Sequence, residues 1–383
     1  MPTARKPFGL GWEGAIFLAL LLYPLFPFFE SGFFAVTQRS LGDQLSTVFV
    51  FALLAYGLNV VVGYTGLLNL GVAAFFGVGA YTAGIFTSAA YSFQWPFWVA
   101  LPLGALLAAG LGLLLGAPTL RLRGDYLALV TLGFGEVTKF TLLNMEGITA
   151  GTRGLSPVPP PPLPAVDPNV WSDYYQPFYY LTLVVLILVS LVLRNLERSR
   201  LGRAWVALRE DELAANCMGL SPNKLKLAAF ALGAGIAGLA GVLYATRLTS
   251  TANPLAFDFN RSIFMVCCLI MGGLGSRLGV LLGVFLLVGF DNILTPIIDG
   301  AIQRQFPDAG GKLYLTFTGW RLAVFGLALI LMMRFRPEGL FPSVRVKHEL
   351  HPDEKVGGDI DPITMARTTG EVEGLNGRKG GEK

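Results

Sequence analysis

Gly233, Gly235 and Gly238 stand in the order G-x-G-x-x-G, the spacing by which a dinucleotide-binding turn brings its backbone against a pyrophosphate. That chemistry needs a strand ahead of the first glycine. Here the run LGAGIAGLAG lies inside the apolar segment Leu225–Thr246 with no strand before it. Small residues in such a segment let two helix backbones approach, so these glycines read as packing residues. The phosphate-cradling order G-x-x-x-x-G-K-[ST] does not occur. Cys217, Cys267 and Cys268 lack metal-type spacing and are too few for a disulfide framework. His348 and His351 lie in a polar stretch with no further ligands identifiable. There is no convincing Ser-His-Asp or Cys-His arrangement, so no catalytic residue, metal or cofactor is expected.

What remains are charges set inside apolar runs, where an isolated charge is costly and faces a cavity or a partner. Glu136 and Lys139 lie three residues apart in a segment that Gly133 and Gly135 are expected to break. One helical face then holds both, either as a structural ion pair or as part of a solute pathway. Asp291 carries the same two readings. A different pattern fills Arg198–Ser221, RSRLGRAWVALREDELAANCMGLS. Dense charge among helix formers predicts a short surface helix rather than a flexible connector. Trp205, Leu208 and Ala215 make an apolar stripe that could seat in a partner's groove, beside a polar knuckle of Arg209, Glu210, Asp211 and Glu212. A plain interfacial linker helix is the alternative.

The elements that must position these groups are membrane spans. Hydrophobic residues make up 53% of the 383 and charged ones only 14%, against about 25% charged in soluble domains, and the mean hydropathy is +0.58. Apolar runs of roughly 17 to 25 residues, the length a bilayer imposes on a helix, recur along the chain. They predict an all-α polytopic transmembrane bundle of about ten spans, nine to eleven at the limits. The spans are Trp12–Phe28, Leu45–Val62, Leu67–Ser88, Pro96–Leu115, Tyr126–Leu143, Tyr179–Leu193, Leu225–Thr246, Phe257–Leu274, Gly279–Ile298 and Trp320–Met333. Arg5 and Lys6 ahead of the first run resemble a signal peptide, but SGFFAVTQRS offers no convincing cleavage site, so the run is taken as a span. Phe257–Leu274 ends near Gly272, Gly273 and Gly275 and fits an interrupted helix, a feature of transport sites; close packing is the other reading.

Alternating ten spans from a cytoplasmic N-terminus leaves Arg39, Arg153, Arg247, Arg261, Arg304, Lys312 and Arg321 outside, while Arg194–Arg209 and Arg334–Lys347 lie inside with most other Lys and Arg. Both termini are therefore expected in the cytoplasm. The external loop at about 144–175 holds the proline run Pro157–Pro164, which favours extended polyproline geometry and is expected to cap the outer face. A transmembrane domain over 1–342 precedes a polar, Gly-rich cytoplasmic tail over 343–383, expected to be disordered. The net charge of +4 does not imply nucleic acid.

The Arg198–Ser221 segment resembles the cytoplasmic coupling loop of ABC importer permeases, with E-L-A-A at Glu212–Ala215 and Gly219 four residues on. Its GRAW..ALRED.LAA..MG arrangement is similar to the M-type subunit of the branched-chain amino acid permease family. GYTGLLNLGVAAFFGVGAYTAG from Gly63, LRGDYLALVTLGFGEV from Leu122, ITAGTRGL from Ile148, MGGLGSRLGVLLG from Met271 and FRPEGLF from Phe335 agree with it. The likeness covers about 45–342. Val72 departs from it, since many relatives carry a polar or aromatic residue there.

The resemblance implies an ABC importer permease architecture with interrupted helices, forming part of a pathway for branched-chain amino acids or a related small polar solute. It implies a homologous second permease subunit, two separate ABC ATPase subunits and an extracytoplasmic solute-binding protein, all working at the lipid bilayer of a bacterial cytoplasmic membrane. The coupling residues are then Arg209, Glu210, Asp211, Glu212, Ala214, Ala215 and Gly219. Two other classes stay open: a secondary transporter or channel acting alone, of which GSRLG at Gly275 is a faint echo, and a membrane-embedded enzyme, which would need a catalytic cluster in a cavity.

Overall fold

The computed structural model describes residues 11–25, 30, 33–34, 39–89, 91–92, 94–119, 125–161, 175–299, 317–336 and 339–341. The tail expected over 343–383, residues 162–174 of the proline-rich loop, and His348 and His351 lie outside the described residues. Every regular element among those described is a helix.

Helix α1 (Gly11–Leu22) tightens into a 3-10 turn at Tyr23–Leu25. Pro24 has no N–H to give the Leu20 carbonyl, and the hydroxyl of Tyr179 supplies the missing bond at 2.6 Å. Helix α2 (Leu41–Asn59) starts at Ser40, whose side chain accepts the Asp43 N–H at 3.2 Å. Every residue from Leu45 to Asn59 is buried, the pattern of a helix surrounded on all sides. It continues through a π-helical turn, Val60–Tyr64.

Helix α3 (Val72–Thr87) begins later than the expected Leu67. Gly66 adopts φ +71°, and Asn69 Oδ1 accepts the Gly71 N–H at 2.9 Å, a local bond that competes with helix formation. Helices α4 (Phe97–Thr119) and α5 (Asp125–Asn144) follow. α5 runs unbroken through Gly133 and Gly135, contrary to the expected break. Each glycine costs a helix only about 1 kcal/mol relative to alanine, which weakens it without ending it.

Helix α6 (Gln176–Arg198) leads into two short helices, α7 (Arg200–Glu210) and α8 (Glu212–Cys217), and then α9 (Pro222–Leu248). α10 (Phe259–Gly272) and α11 (Arg277–Gly289, with a π turn at Phe290–Leu294) are followed by α12 (Phe317–Phe335). α9 packs against α2, α3 and α4 along a seam of bare backbone. A Cβ on Gly57 would stand 2.6 Å from the Gly233 carbonyl oxygen, and one on Gly79 only 1.9 Å from that of Gly238. Two glycines of the G-x-G-x-x-G run are thus helix–helix contacts.

Among the described residues, seven helices are long and apolar enough to cross a membrane: Leu41–Tyr64, Phe97–Pro118, Tyr126–Asn144, Gln176–Arg198, Pro222–Leu248, Pro254–Gly272 and Arg277–Asp299. The other three expected spans fall on α1 with 12 residues, α3 with 16 and α12 with 19. α10 and α11 form an antiparallel pair joined by a tight turn in which Gly273 and Gly275 take φ +117° and +76°. Gly272 backs on Gly279, and Gly283 on Cys268, across that pair.

Candidate functional site

At the turn that joins α6 to α7, Ser199 caps α7 by accepting the Gly202 N–H at 3.3 Å. The expected single surface helix is two helices. Asp211 leaves helical geometry, at φ −154° and ψ 111°, and its Oδ1 accepts the N–H groups of Leu213 at 2.7 Å and Ala214 at 3.0 Å. An aspartate that turns back on the next amides ends one helix and starts another. Gly219 closes α8 with φ +83°, a conformation that glycine adopts without strain.

The apolar stripe faces this chain's own bundle and not a partner's groove. Trp205 is fully buried, and Leu208 and Ala215 nearly so. The Trp205 Nε1 donates to the Leu225 carbonyl at 2.9 Å, and its ring stacks on Tyr64 with centroids 6.5 Å apart. Periodicity marks a buried face but not whose surface buries it.

Polar links fasten the same segment to two other helices, and further links tie those helices' neighbours together. Arg209 donates to the Gly63 carbonyl at 2.7 Å, in the π turn that ends α2. Glu212 pairs with the nearly buried Lys226 of α9 at 2.7 Å. Glu197, at the end of α6, pairs with Arg277 at the start of α11 at 2.8 Å and accepts the Tyr64 hydroxyl at 2.6 Å. Asn59 Oδ1 accepts the Gly275 N–H at 3.0 Å, so the α10–α11 turn joins the same junction. Three separate motif segments, those beginning at Gly63, Arg198 and Met271, therefore meet. Glu210, Asp211, Ala214 and Gly219 face outward, together with Leu213 and Met218, which are 74% and 84% exposed.

Sequence reasoning missed Asn59, Tyr64, Glu197, Lys226 and Arg277. Their partners lie 14 to 216 residues away, so no local spacing announces them. The Asp211 cap was legible, since aspartate ahead of E-L-A-A is a helix start.

Glu136 and Lys139 form the expected ion pair on α5, and Lys139 also lies 4.9 Å from the centroid of the Phe140 ring. Beside Gly135 stands the backbone of Gly71, and Thr131 Oγ1 accepts the Leu70 N–H at 3.0 Å, so α5 braces the loop before α3. Asp291 lies elsewhere, in the π turn of α11, and lines a cavity of about 270 Å³ bounded by α2, α9, α10 and α11. Gln44, Thr47, Phe51, Tyr244, Arg247, Arg261, Phe264, Val288 and Asn292 complete its wall; Glu136 and Lys139 do not take part. Lys226 and Arg247 are 21 residues apart on α9, so this cavity and the junction stand about 31 Å apart along the helix. At the cavity end, Leu155 and Thr251 exchange two hydrogen bonds, and Val158 donates to the Thr249 carbonyl at 2.9 Å. The start of the proline-rich loop is thereby tied to the end of α9.

Residues 40–333 match the family described as branched-chain amino acid transport system / permease component. The high-affinity branched-chain amino acid transport system permease protein LivM of Escherichia coli (strain K12) is 38% identical over 334 residues, which cover 82% of this chain and 73% of that protein. A probable branched-chain amino acid transport permease protein LivM of Methanocaldococcus jannaschii is 28% identical over 63% of this chain and 68% of its own. The autoinducer 2 import system permease protein LsrC of Yersinia pseudotuberculosis serotype O:3 is 25% identical over 74% and 77%. No solved structure matches the chain. The matched region takes in both the Trp205 junction and the Asp291 cavity, and the chain belongs to the family of branched-chain amino acid transport system permease components.

Proposed function

We propose that this chain is one of two homologous permease subunits of an ATP-driven ABC importer in a bacterial cytoplasmic membrane, carrying branched-chain amino acids or a related small polar solute. Two separate ATPase subunits bind on the α7–α8 side of the permease pair, and an extracytoplasmic binding protein docks at the opposite end. With ten spans, both termini and α7–α8 lie in the cytoplasm. The observation that carries this reading is the junction itself, which ties a short surface segment to α9 and the end of α2, next to the Glu197–Arg277 link between α6 and α11, while leaving Leu213, Met218, Glu210 and Asp211 exposed.

In this reading ATPase closure pushes α7–α8 as a rigid body. Trp205 and Glu212 pass the displacement to α9, Arg209 to the end of α2, and Glu197 with Arg277 to α11, a switch between two packings of the bundle. Glu210, Asp211, Ala214 and Gly219 form the ATPase-facing surface, where charge sets register more than affinity. Arg209, Glu212 and Ala215 are its inward anchors. Asp291 belongs to the solute pathway, the Glu136–Lys139 pair is structural, and Gly135 serves the packing of α5 on the loop before α3.

The test is purification of the tagged chain followed by reconstitution. A second membrane subunit and ATPases should copurify, and uptake into proteoliposomes should require ATP and the binding protein. Flux driven by an ion gradient through the isolated chain would select the stand-alone transporter instead.

A further inference from the structure

The Asp291 cavity has features that the importer reading does not by itself require. Two arginines line it, in different states. Arg247 is held on one side by Asp43, at 2.6 Å to Oδ2 and 3.2 Å to the backbone carbonyl, while its Nε is buried with no hydrogen-bond partner. Arg261 lies over the face of Phe51, 5.0 Å from the ring centroid; among the described residues its guanidinium makes no ion pair. Asp258, the nearest carboxylate in sequence, spends its Oδ1 on the Arg261 backbone N–H at 3.0 Å and its Oδ2 on Asn260 at 2.7 Å. The Arg247 Nε is thus a buried donor without an acceptor, which is costly, and the planar fork of arginine matches a carboxylate.

Asp291 and Asn292, which the π turn Phe290–Leu294 brings to the cavity, line it as well. Widened turns of this kind recur at functional sites because the extra residue re-aims the side chains around it. Phe51, Phe264 and Val288 add apolar surface to the same lining. Arg247, Arg261, Asp43 and Asp291 bring two positive and two negative charges, so the site favours a ligand that is neutral overall but carries both signs. At about 270 Å³ the space lies just below the range of drug-sized pockets, roughly 300–1,000 Å³, and suits a single small molecule.

We propose that this cavity is a solute subsite of the permease itself, holding an α-amino acid as its zwitterion. The carboxylate lies on Arg261 and the free edge of Arg247, the ammonium on Asp291, and the side chain against Phe51, Phe264 and Val288. The site deepens the importer reading and rests on it. It assigns the permease a recognition step of its own, selective for a carboxylate and an ammonium together, after release from the binding protein.

The experiment uses the assembled complex with its ATPases and binding protein in proteoliposomes, with radiolabelled L-leucine, L-isoleucine and L-valine as probes. Arg261→Gln is expected to lower uptake by about 10- to 100-fold, the loss from removing a charge-assisted contact, while assembly and binding-protein-stimulated ATPase activity stay within about twofold of wild type. Arg261→Lys, which keeps the charge without the fork, should fall between the two. Asp291→Asn should lower uptake by about 10-fold or more, and it carries the test alone if Arg261→Gln does not assemble. Uptake by Arg261→Gln and Asp291→Asn within about twofold of an active wild type overturns the subsite and leaves the importer reading standing. Stimulated ATPase activity falling in step with uptake in both variants also overturns it, as a structural effect. A wild-type complex that imports none of the three probes with ATP defeats the amino-acid importer reading first, and the subsite with it.

Discussion

The indole Nε1 of Trp205 donates a 2.9 Å hydrogen bond to the carbonyl of Leu225, twenty residues further along the chain and in the first turn of α9. One side chain thereby fixes the surface segment to the start of a helix that reaches to Arg247 at the other end of the bundle. The same ring is fully buried and stacks on Tyr64, so three helices share it. Trp205→Ala should cost about 3–5 kcal/mol, the range for emptying a buried aromatic site, and should lower the melting temperature of the detergent-purified complex. Trp205→Phe, which keeps one six-membered ring but loses the hydrogen bond and part of the packing, should cost about 1–3 kcal/mol, less than the alanine change. Equal melting temperatures for the two variants would mean that the bond, and not the packing, holds the junction.

Two neighbouring glutamates should part company when changed. Glu212 is committed to Lys226, whose side chain is only 6% exposed, while Glu210 points outward. Glu212→Gln leaves a nearly buried ammonium short of its partner and should destabilise the chain by about 1–2 kcal/mol. Glu210→Lys should leave the melting temperature unchanged and reduce uptake per ATP hydrolysed, because it alters only the surface offered to the ATPase. Measuring melting and the transport-to-ATPase ratio on both variants separates the roles. A melting loss in Glu210→Lys as large as that in Glu212→Gln would refute this division.

How far the sequence showed this arrangement depends on the range of the interaction. The apolar runs located the helices because bilayer thickness and backbone hydrogen bonding leave little choice between them. α3 started late because the turn at Gly66–Gly71 is built from one backbone conformation and one Asn69 hydrogen bond, which a hydropathy average does not register. The stripe of Trp205, Leu208 and Ala215 was visible as a stripe, but its direction was not: a buried face looks the same whether a partner or the chain's own Tyr64 and Leu225 cover it. The cavity was the least legible part. Only Asp291 stood out from its apolar surroundings, whereas Arg247 and Arg261 read as charges on the outer side, and nothing in their spacing places them in one cavity with it.

The glycine seam on α9 makes a sharper stability prediction than the apolar residues around it. At Gly79 a methyl group would lie 1.9 Å from the Gly238 carbonyl oxygen, a backbone atom that cannot move without shifting α9. Gly79→Ala should therefore reduce the amount of folded protein in the membrane, at a cost of at least the roughly 1–3 kcal/mol typical of overpacking. Gly133→Ala, where nothing lies within 4 Å, should be neutral or stabilise α5 by up to about 1 kcal/mol. Fluorescence-detected chromatography of both variants checks the contrast, and similar profiles for the two would contradict the close approach of α3 and α9.

The bond between Tyr179 and the Leu20 carbonyl predicts a dependence between two residues far apart in sequence. Pro24 is the reason that carbonyl needs a donor, since the residue four positions after Leu20 has no N–H to offer. Tyr179→Phe in the natural background should cost about 1 kcal/mol, the net value of one buried hydrogen bond. A Pro24→Ala background restores a backbone N–H that can reach the Leu20 carbonyl, and there the same tyrosine change should cost less. A double-mutant cycle read by thermal melting isolates that difference, because each single change removes one part of the relationship. A cost for Tyr179→Phe that does not depend on Pro24 would show that the hydroxyl serves the packing of α1 on α6 in some way other than by satisfying the orphaned carbonyl.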